Sequence, residues 1–493
     1  MSNQEPPLPR ASRLGFLRNS LSLFGLIVMA GSCFAFLFLF ALELFSGSSN
    51  PYVGILTYMV APAFLMGGLM FVVLGIWRQR RRMRARGETA APLMINFSAP
   101  HDRKMLNVFL LAGSFFLLLT ALGSYHTYHF TESVQFCGET CHEVMKPELT
   151  SYKHSPHARV SCTECHIGKG ATWYVRSKLS GAYQVYATIA NKYPKPVPTP
   201  IKNLRPAQET CEQCHWPARF VGNMDRTFTS FLSDQTNPVY SVRMLLKVGG
   251  ADESHGPREG IHWHMNVGNK IEYIATDEGR QKIPWVRMTD RQGVVTEFKS
   301  ASFTNSTANY TVRRMDCMDC HNRPAHMLES PNNAVNLAMA LGNIDATLPF
   351  IKTNAVFALL QPYTNQTQAL QKIATFLAGQ YPNEPKVRPT IDAVQQIYKD
   401  NFFPEMKASW KFYPDNIGHK DWPGCFRCHD GKHVASDSKR MIKANDCNAC
   451  HIILAQGSGA DLEKFDSHGQ TFKHPGDEYD KAYLCSDCHN GGL

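Results

Sequence analysis

Hydrophobic residues are concentrated in three long runs near the beginning of the chain. The first run covers 16–45 and the second Val53–Trp77, and a short uncharged turn, Ser46–Tyr52, joins them. The third run, Met105–Tyr125, leads into the more polar remainder of the chain. Each run is long enough to cross the hydrocarbon layer of a bilayer as a helix. The pattern predicts a membrane anchor with three transmembrane helices in residues 1–125.

Basic residues predict the orientation of this anchor. Arginines flank the first run and fill the segment between the second and third runs: Arg10, Arg13, Arg18, Arg78, Arg80, Arg81, Arg82, Arg84 and Arg86. Because such residues stay on the cytoplasmic side, the amino terminus and the arginine-rich loop are expected in the cytoplasm and the rest of the chain in the periplasm. The first run is too long for a cleaved signal peptide and lacks a clear cleavage site, so we interpret it as a retained anchor.

Shorter periodic patterns follow the anchor. Alternation of apolar and polar residues between turn signals predicts strands at Lys270–Ala275, Ile283–Thr289 and Val294–Phe298. Helical spacing of apolar residues recurs around 332–343, 348–361, 366–380 and 390–401. Pro194–Pro200 is typical of a stiff, extended linker. The part outside the membrane is therefore expected to be mainly helical, with a small β-rich insert.

Fourteen of the fifteen cysteines belong to seven motifs that end in histidine. Six motifs read C-x-x-C-H, and the first, Cys137-Gly-Glu-Thr-Cys141-His142, has one extra residue; the others are Cys162–Cys165–His166, Cys211–Cys214–His215, Cys317–Cys320–His321, Cys425–Cys428–His429, Cys447–Cys450–His451 and Cys485–Cys488–His489. Two thiols one turn apart can add to the vinyl groups of one haem, and the following histidine then becomes the proximal iron ligand. The sequence predicts seven covalently bound haems c.

The distribution of these motifs predicts the organisation of the chain. After the anchor, 1–125, we expect a segment with three haems at 126–215, a haem-free β-rich insert at 216–316, a fourth haem with a helical segment at 317–424, and three further haems at 425–493. So few residues per cofactor imply a core packed largely with haem, in which neighbouring haems lie close together. Haem of this kind is attached outside the cytoplasmic membrane, which agrees with the predicted orientation.

Histidines outside the motifs are candidates for the distal ligands. For haems two to seven we expect distal ligation by His157, His326, His419, His433 and His474, and by one of His262 and His264, which we place on a strand edge. Haem one differs because its motif is longer and Met145 stands three residues after His142. Met145 either ligates the iron of haem one or packs against that haem. In the first case haem one departs from ligation by two histidines.

The formal charge of +10 does not indicate a nucleic-acid partner. Eleven lysines and arginines against three acidic residues lie in 1–42 and 78–104, and the rest of the chain is nearly balanced. The propionates of seven haems would make the periplasmic part neutral or acidic. The positive charge therefore belongs to the predicted cytoplasmic side of a lipid-embedded anchor.

Two stretches resemble the NapC/NirT family of membrane-anchored multihaem cytochromes. They are Glu132–Glu148, with the first haem motif, and Tyr152–Gly168, with the second; the stretch Cys-His-Asn-Arg-Pro-Ala-His326 also recurs in related multihaem chains. The family oxidises quinols and passes electrons to periplasmic partners. Typical members have one span and four haems, whereas this chain resembles a longer, heptahaem type. In the family the first haem motif reads C-x-x-C-H-x-M, which implies Met145 as a ligand, and a lysine near the quinol head group corresponds to Lys178.

The resulting functional prediction is a quinol dehydrogenase of anaerobic respiration. A quinol, by expectation menaquinol, would be oxidised at the membrane surface near Lys178, His126 and His129, and electrons would reach periplasmic c-type cytochromes or other acceptors. The two histidines could instead serve as interfacial anchors beside Tyr125 and Tyr128. Two alternatives remain open: an electron-transfer subunit of an oligomer or larger respiratory complex without its own quinol site, and a terminal reductase of a small oxyanion at an open haem.

Overall fold

The computed structural model describes two compact units, Met1–Thr140 and Cys141–Leu493. This division is coarser than the five predicted segments. The described residues are 19–46, 56–85, 98, 100–140, 142–168, 171–201, 204–250, 259–266, 268–304, 306–437, 440–443, 447–476 and 483–492. Several predicted features lie outside them: the turn at 47–52, the arginines at 10, 13, 18 and 86, and a histidine outside the motifs at 255.

The first unit consists of long apolar helices. Helix α1 spans Ser20–Ser46, and a π-helical turn, Leu56–Val60, continues into α2, Ala61–Ala85. Two stretches, 20–41 and 56–85, are long and apolar enough to cross a membrane. They correspond to the first two predicted spans, and α2 continues beyond Trp77 through the described arginines of the basic loop.

Glycines allow α1 and α2 to pack closely. A Cβ atom on Gly25 would lie 2.6 Å from the carbonyl oxygen of Gly68, so a larger residue there would force the helices apart. The backbones can therefore approach within van der Waals contact, as is usual where helices associate in lipid.

The third predicted span lies within α3, Pro100–Thr131. The helix forms, but several of its side chains lie outside the described residues, and within the described part of the chain only the two stretches above are long and apolar enough to cross a membrane. Its small residue Gly123 faces the π-helical turn, because a Cβ there would clash with the ring of Tyr58. Membrane crossing by α3 stays a prediction.

The second unit begins with short helices around the first haem motifs. They are α4 (His142–Lys153), α5 (Cys162–His166), α6 (Ala171–Ile189) and α7 (Ala207–Thr210). Pro194–Pro200 connects α6 to α7 without regular secondary structure. Gly168 ends the second haem motif with a positive φ, and the guanidinium of Arg205 occupies the space where its side chain would be. Arg205 in turn pairs with Glu209 of α7 at 2.7 Å, which ties the second motif to the helix before the third.

Two antiparallel sheets follow. Strands β1 (Met224–Phe231) and β2 (Val239–Leu246) form the first sheet together with β8 (His451–Gly457), in the order β1-β2-β8. The second sheet has the order β6-β3-β4-β5-β7, built from β3 (Lys270–Ile274), β4 (Trp285–Thr289), β5 (Val295–Lys299), β6 (Arg313–Arg314) and β7 (Val434–Ala435). The strands predicted at 270–298 are confirmed. Because β7 and β8 come from the last predicted segment, the insert and the carboxy-terminal haem region share both sheets.

Four helices form a conventional apolar core in the second unit. After the short α8 (Cys317–Cys320) come α9 (Pro331–Ala340), α10 (Ile351–Leu360), α11 (Gln366–Gln380) and α12 (Val387–Asn401), close to the predicted segments. Their fully buried residues include Val335, Val356, Ile373, Leu377 and Val394. Each buried aliphatic side chain contributes about 1.5–3 kcal/mol. Protein side chains thus fill this layer. Helix α13 (Cys485–Cys488) carries the last motif.

Candidate haem centres

Six haem motifs fold into tight helical turns. In four of them the backbone N–H of the motif histidine donates to the carbonyl of the first cysteine, at 2.8–3.0 Å: His215 to Cys211, His321 to Cys317, His429 to Cys425 and His489 to Cys485. This hydrogen bond closes one turn, which brings the two thiols to the same side and directs the histidine beneath them. The local sequence is therefore sufficient to form the attachment geometry.

Each of these six motif histidines lies opposite a second histidine. Their ring centres are 5.8–6.3 Å apart in the pairs His166–His326, His215–His157, His321–His262, His429–His264, His451–His419 and His489–His474. Two metal–imidazole bonds of about 2.0 Å, with about 1 Å more from each nitrogen to its ring centre, require about 6 Å between the centres. The residues fit six irons held between two imidazoles.

Backbone carbonyls orient four of the opposing histidines. The Nδ1 atoms of His157, His262, His264 and His326 lie 2.5–3.2 Å from the carbonyl oxygens of Pro324, Val248, Ile261 and Glu148. A carbonyl can only accept, so each Nδ1 carries the proton and Nε2 is left for a metal. Outer partners of this kind are usual for metal-binding histidines.

Burial keeps several of these imidazoles neutral. Desolvation lowers the pKa of His326 to about 4, with the nearby charge of Arg323 adding to the effect. Desolvation, and next the proximity of His264, lowers the pKa of His429 to about 4. Only the neutral ring can bind a metal, so ligation at neutral pH would displace no proton from these side chains.

The positions of His262 and His264 differ from the prediction. They lie on a 3₁₀ helix, Ile261–Met265, and not on a strand edge. Residues two apart on a strand point the same way, whereas on a 3₁₀ turn they diverge. Both histidines therefore reach a motif histidine, His321 and His429 respectively, where only one of the two was expected to do so.

The prediction of His433 as a distal ligand disagrees with the geometry. Its ring is fully buried between the second sheet and the fifth motif, with Nδ1 2.8 Å from Asp430 Oδ1 and Nε2 2.7 Å from the carbonyl oxygen of Ile283. Both ring nitrogens are engaged by protein atoms, so neither is available to an iron. His433 therefore connects the fifth motif to the residues just before β4 instead of completing a haem site.

Two further histidines outside the motifs also do not face a motif histidine. His154 bonds to the carbonyl of Thr150 in α4, and His468 is exposed.

Protein contacts link neighbouring motifs from the second to the sixth. Arg205, which pairs with Glu209 just before motif three, donates to the carbonyl of Ile167 just after motif two at 3.4 Å. Nδ1 of His157, which lies opposite His215 of motif three, is 3.2 Å from the carbonyl oxygen of Pro324 just after motif four. Arg427 of motif five donates to the carbonyl of Asp319 of motif four at 2.7 Å, and Phe426 of motif five stacks on His419, which lies opposite His451 of motif six.

Residues 99–197 match the family described as NapC/NirT cytochrome c family, N-terminal region. The chain is also 41% identical over 494 residues to the cytochrome c-type protein ImcH of Geobacter sulfurreducens, covering 96% of each chain. This chain belongs to the NapC/NirT cytochrome c family, as an ImcH-like member. Its class is that of membrane-anchored, electron-transferring c-type cytochromes with covalently bound haem. No solved structure matches it.

The first haem motif of this NapC/NirT chain is only partly described. Cys137 lies in a π-helical turn, Gln135–Thr140, and α4 begins at His142 and carries the half-buried Met145. Cys141 and the side chain of His142 lie outside the described residues. Whether Met145 ligates haem one stays a prediction.

The residues predicted for a quinol site belong to both units. In the first unit His129, near the end of α3, contacts the rings of Tyr125 and Tyr128, with ring centres 4.4 and 5.4 Å away; His126 also packs against Tyr125 at 6.3 Å. In the second unit the half-buried Lys178 lies in the middle of α6. The two histidines form the aromatic cluster expected of an interfacial anchor, which is compatible with either predicted role.

Proposed function

We propose that this chain oxidises a membrane quinol and carries the electrons through seven haems c to periplasmic acceptors. The observation that supports this most is the set of six histidine pairs, each spaced for one iron, whose motifs are linked by protein contacts from the second to the sixth. When bound, each haem iron accepts and releases one electron. Protein side chains then have only to hold the haems in place and in contact.

The cysteines and paired histidines are proposed to hold haems two to seven. Each haem would be attached through its two motif cysteines and ligated by the motif histidine and the histidine opposite. Because two histidines would ligate each of these six irons, no position would be open to a small oxyanion. That disfavours the terminal reductase among the alternatives and favours pure electron transfer.

The entrance for electrons is proposed at haem one. Cys137, Cys141 and His142 would hold this haem, with Met145 as the ligand that sets it apart. Lys178, His126 and His129 are proposed to hydrogen-bond the quinol head group and to receive its two protons as two electrons leave. Three spans, a cytoplasmic amino terminus and a periplasmic haem region belong to the same proposal, since they put haem one at the periplasmic membrane surface.

Haem count and quinol oxidation are tested on the full chain in nanodiscs. Mass spectrometry of the mature chain should show seven haems added to the 55.4 kDa polypeptide. Addition of reduced menadiol, a soluble menaquinol analogue, should reduce the haems, as seen in their absorption, and a quinol-site inhibitor should stop this reduction. Full reduction by dithionite with none by menadiol would contradict quinol oxidation and favour an electron-transfer subunit fed by a partner.

A further inference from the structure

Helix α6 presents an apolar face that no described residue covers. Leu179, Tyr183, Tyr186 and Ile189 are 70%, 66%, 54% and 76% exposed. Their spacing of four, three and three residues places all four on one side of the helix. Four large apolar side chains in one stripe, each more than half exposed, are unusual for a water-soluble surface and indicate an interaction site.

Cations border this face. Residues 171–200 contain Arg176, Lys178, Lys192 and Lys195 and no acidic residue. Arg176 and Lys178 lie on the two sides of the stripe by helical spacing. At the end of the helix, Lys192 lies over the ring of Tyr186 and donates to its hydroxyl at 3.2 Å, so that a cation and an aromatic side chain extend together.

We propose that α6 lies flat in the headgroup layer of the bilayer, with this apolar stripe among the upper acyl chains. A stripe of leucine, isoleucine and tyrosine bordered by lysine and arginine is the composition that interfacial helices use. Arg176, Lys192 and Lys195 would extend to anionic lipid headgroups, to which a segment without acidic residues is complementary. A protein partner would ordinarily meet such a stripe with acids as well as apolar residues, whereas the lipid surface is already present because the chain is membrane-anchored.

The consequence is a second membrane attachment, in the haem-bearing unit itself. The transmembrane helices anchor the first unit, and α6 would hold the haem-bearing unit at a fixed height and orientation over the bilayer. The inference does not depend on quinol oxidation, since it concerns only where α6 lies.

Cysteine labelling of the full chain tests the proposal. In a Cys33→Ser background, which removes the thiol that no haem uses, Tyr183→Cys and Ile189→Cys place thiols on the stripe. Gln184→Cys is the matched control, because Gln184 is equally exposed but lies on the opposite side of the helix. Each variant is first checked for an unchanged haem spectrum and then reacted with a charged, hydrophilic maleimide in nanodiscs of phosphatidylethanolamine and phosphatidylglycerol.

In nanodiscs the two stripe cysteines should react about tenfold or more slowly than the control, as expected for thiols below the headgroups. Photo-reactive groups on the lipid acyl chains should label the peptide that contains 179–189. Equal reaction rates for stripe and control in nanodiscs would overturn the proposal. Protection of the stripe without any labelling of 179–189 from the acyl chains would overturn it too, because protein and not lipid would then cover the face.

Discussion

The imidazole of His419 stacks on the ring of Phe426, with ring centres 4.3 Å apart and planes 10° from parallel. His419 lies opposite His451 of the sixth motif, whereas Phe426 is the residue after the first cysteine of the fifth motif. The side chain proposed to ligate one haem is therefore held by the polypeptide that attaches its neighbour. This contact both orients the ligand and fixes the spacing of two adjacent sites.

Replacing Phe426 with leucine should loosen His419 without removing it. An aromatic contact of this kind contributes about 0.5–1.5 kcal/mol, so the rate at which the sixth iron loses its distal ligand should rise about two- to tenfold. Carbon monoxide binding to the reduced protein measures that rate, because the gas can bind only after a histidine leaves. Phe412→Leu, which changes an exposed phenylalanine outside the motifs, is the control and should have no effect. Unchanged carbon monoxide kinetics in Phe426→Leu would show that the stack does not hold His419.

The roles of His433 and His264 can be separated by the same substitution at each. His264→Ala should give one high-spin haem that binds carbon monoxide, because it removes a ligand from the iron at His429. His433→Ala should leave every haem low-spin but destabilise the second unit by about 1–3 kcal/mol, since buried partners at Asp430 and Ile283 lose their hydrogen bonds. Electron paramagnetic resonance and thermal unfolding distinguish the outcomes. A high-spin signal in His433→Ala would instead show that His433 ligates a haem iron.

The features that depend on nearby residues could be predicted from the sequence. The haem motifs depend on a few adjacent residues, and the helices α9, α11 and α12 and strands β3 to β5 show apolar periodicity, whereas α10 is apolar on most sides. Strand β1 was missed because most of Met224–Phe231 is exposed, so it has no buried alternation. Strand β8 was missed because it begins at His451 itself, where the motif gave no sign of a strand.

The pairing of histidines could not be predicted because it depends on tertiary contacts. His326 follows the fourth motif closely in sequence, yet it lies opposite His166 of the second. His433 stands four residues after His429, a spacing that favoured ligation, but Asp430 in between captures its Nδ1. Only the turn that separates His262 and His264 could have been expected from the sequence, because the glycine that precedes it favours a turn over a strand.

Tyr273 of β3 should stabilise the turn that carries the fourth motif. Its hydroxyl donates to Asp319, which also accepts from Arg280 at 3.0 Å and caps α8 through the backbone N–H of Asp316 at 2.8 Å. Tyr273→Phe removes one donor from a buried carboxylate and should lower the free energy of unfolding by about 1–3 kcal/mol. Thermal unfolding measures the loss, with the exposed Tyr483→Phe as control. The haem spectrum should not change, and equal midpoints for the two variants would contradict the contribution.

The proposed quinol contact at Lys178 can be tested without disturbing the haems. Lys178→Gln should slow haem reduction by menadiol about tenfold or more, because a charged hydrogen bond to the bound quinol contributes about 1.5–3 kcal/mol. Reduction by dithionite should be unaffected, as should quinol oxidation in Lys372→Gln, which changes an exposed lysine on α11. Stopped-flow absorption gives both rates. An unaltered menadiol rate in Lys178→Gln would remove this residue from the proposed site.

Buried Lys352 should make the second unit more stable as the pH rises above neutral. Its ammonium is 1% exposed and donates to the side chains of Asn332 and Asn336. Desolvation, followed by repulsion from Lys420, lowers its pKa from 10.5 to about 7, while Asp421 acts in the opposite direction. Between these two pKa values the unfolded chain keeps a proton that the folded chain has released.

The free energy of unfolding therefore increases with pH between pH 7 and 10.5, by about 1 kcal/mol per pH unit from this residue. Below pH 7 the folded chain carries the full penalty of burying the charge. Lys352→Met cannot titrate, so its free energy of unfolding should rise less steeply than that of the wild type between pH 7 and about 9.5. Denaturant unfolding followed by circular dichroism gives both slopes, and the exposed Lys372→Met should keep the wild-type slope. Because the comparison is of slopes, it holds even if Lys352→Met is less stable at every pH. Parallel curves for Lys352→Met and the wild type would mean that Lys352 keeps its proton in the folded protein throughout this range, with the asparagine oxygens replacing the water it has lost.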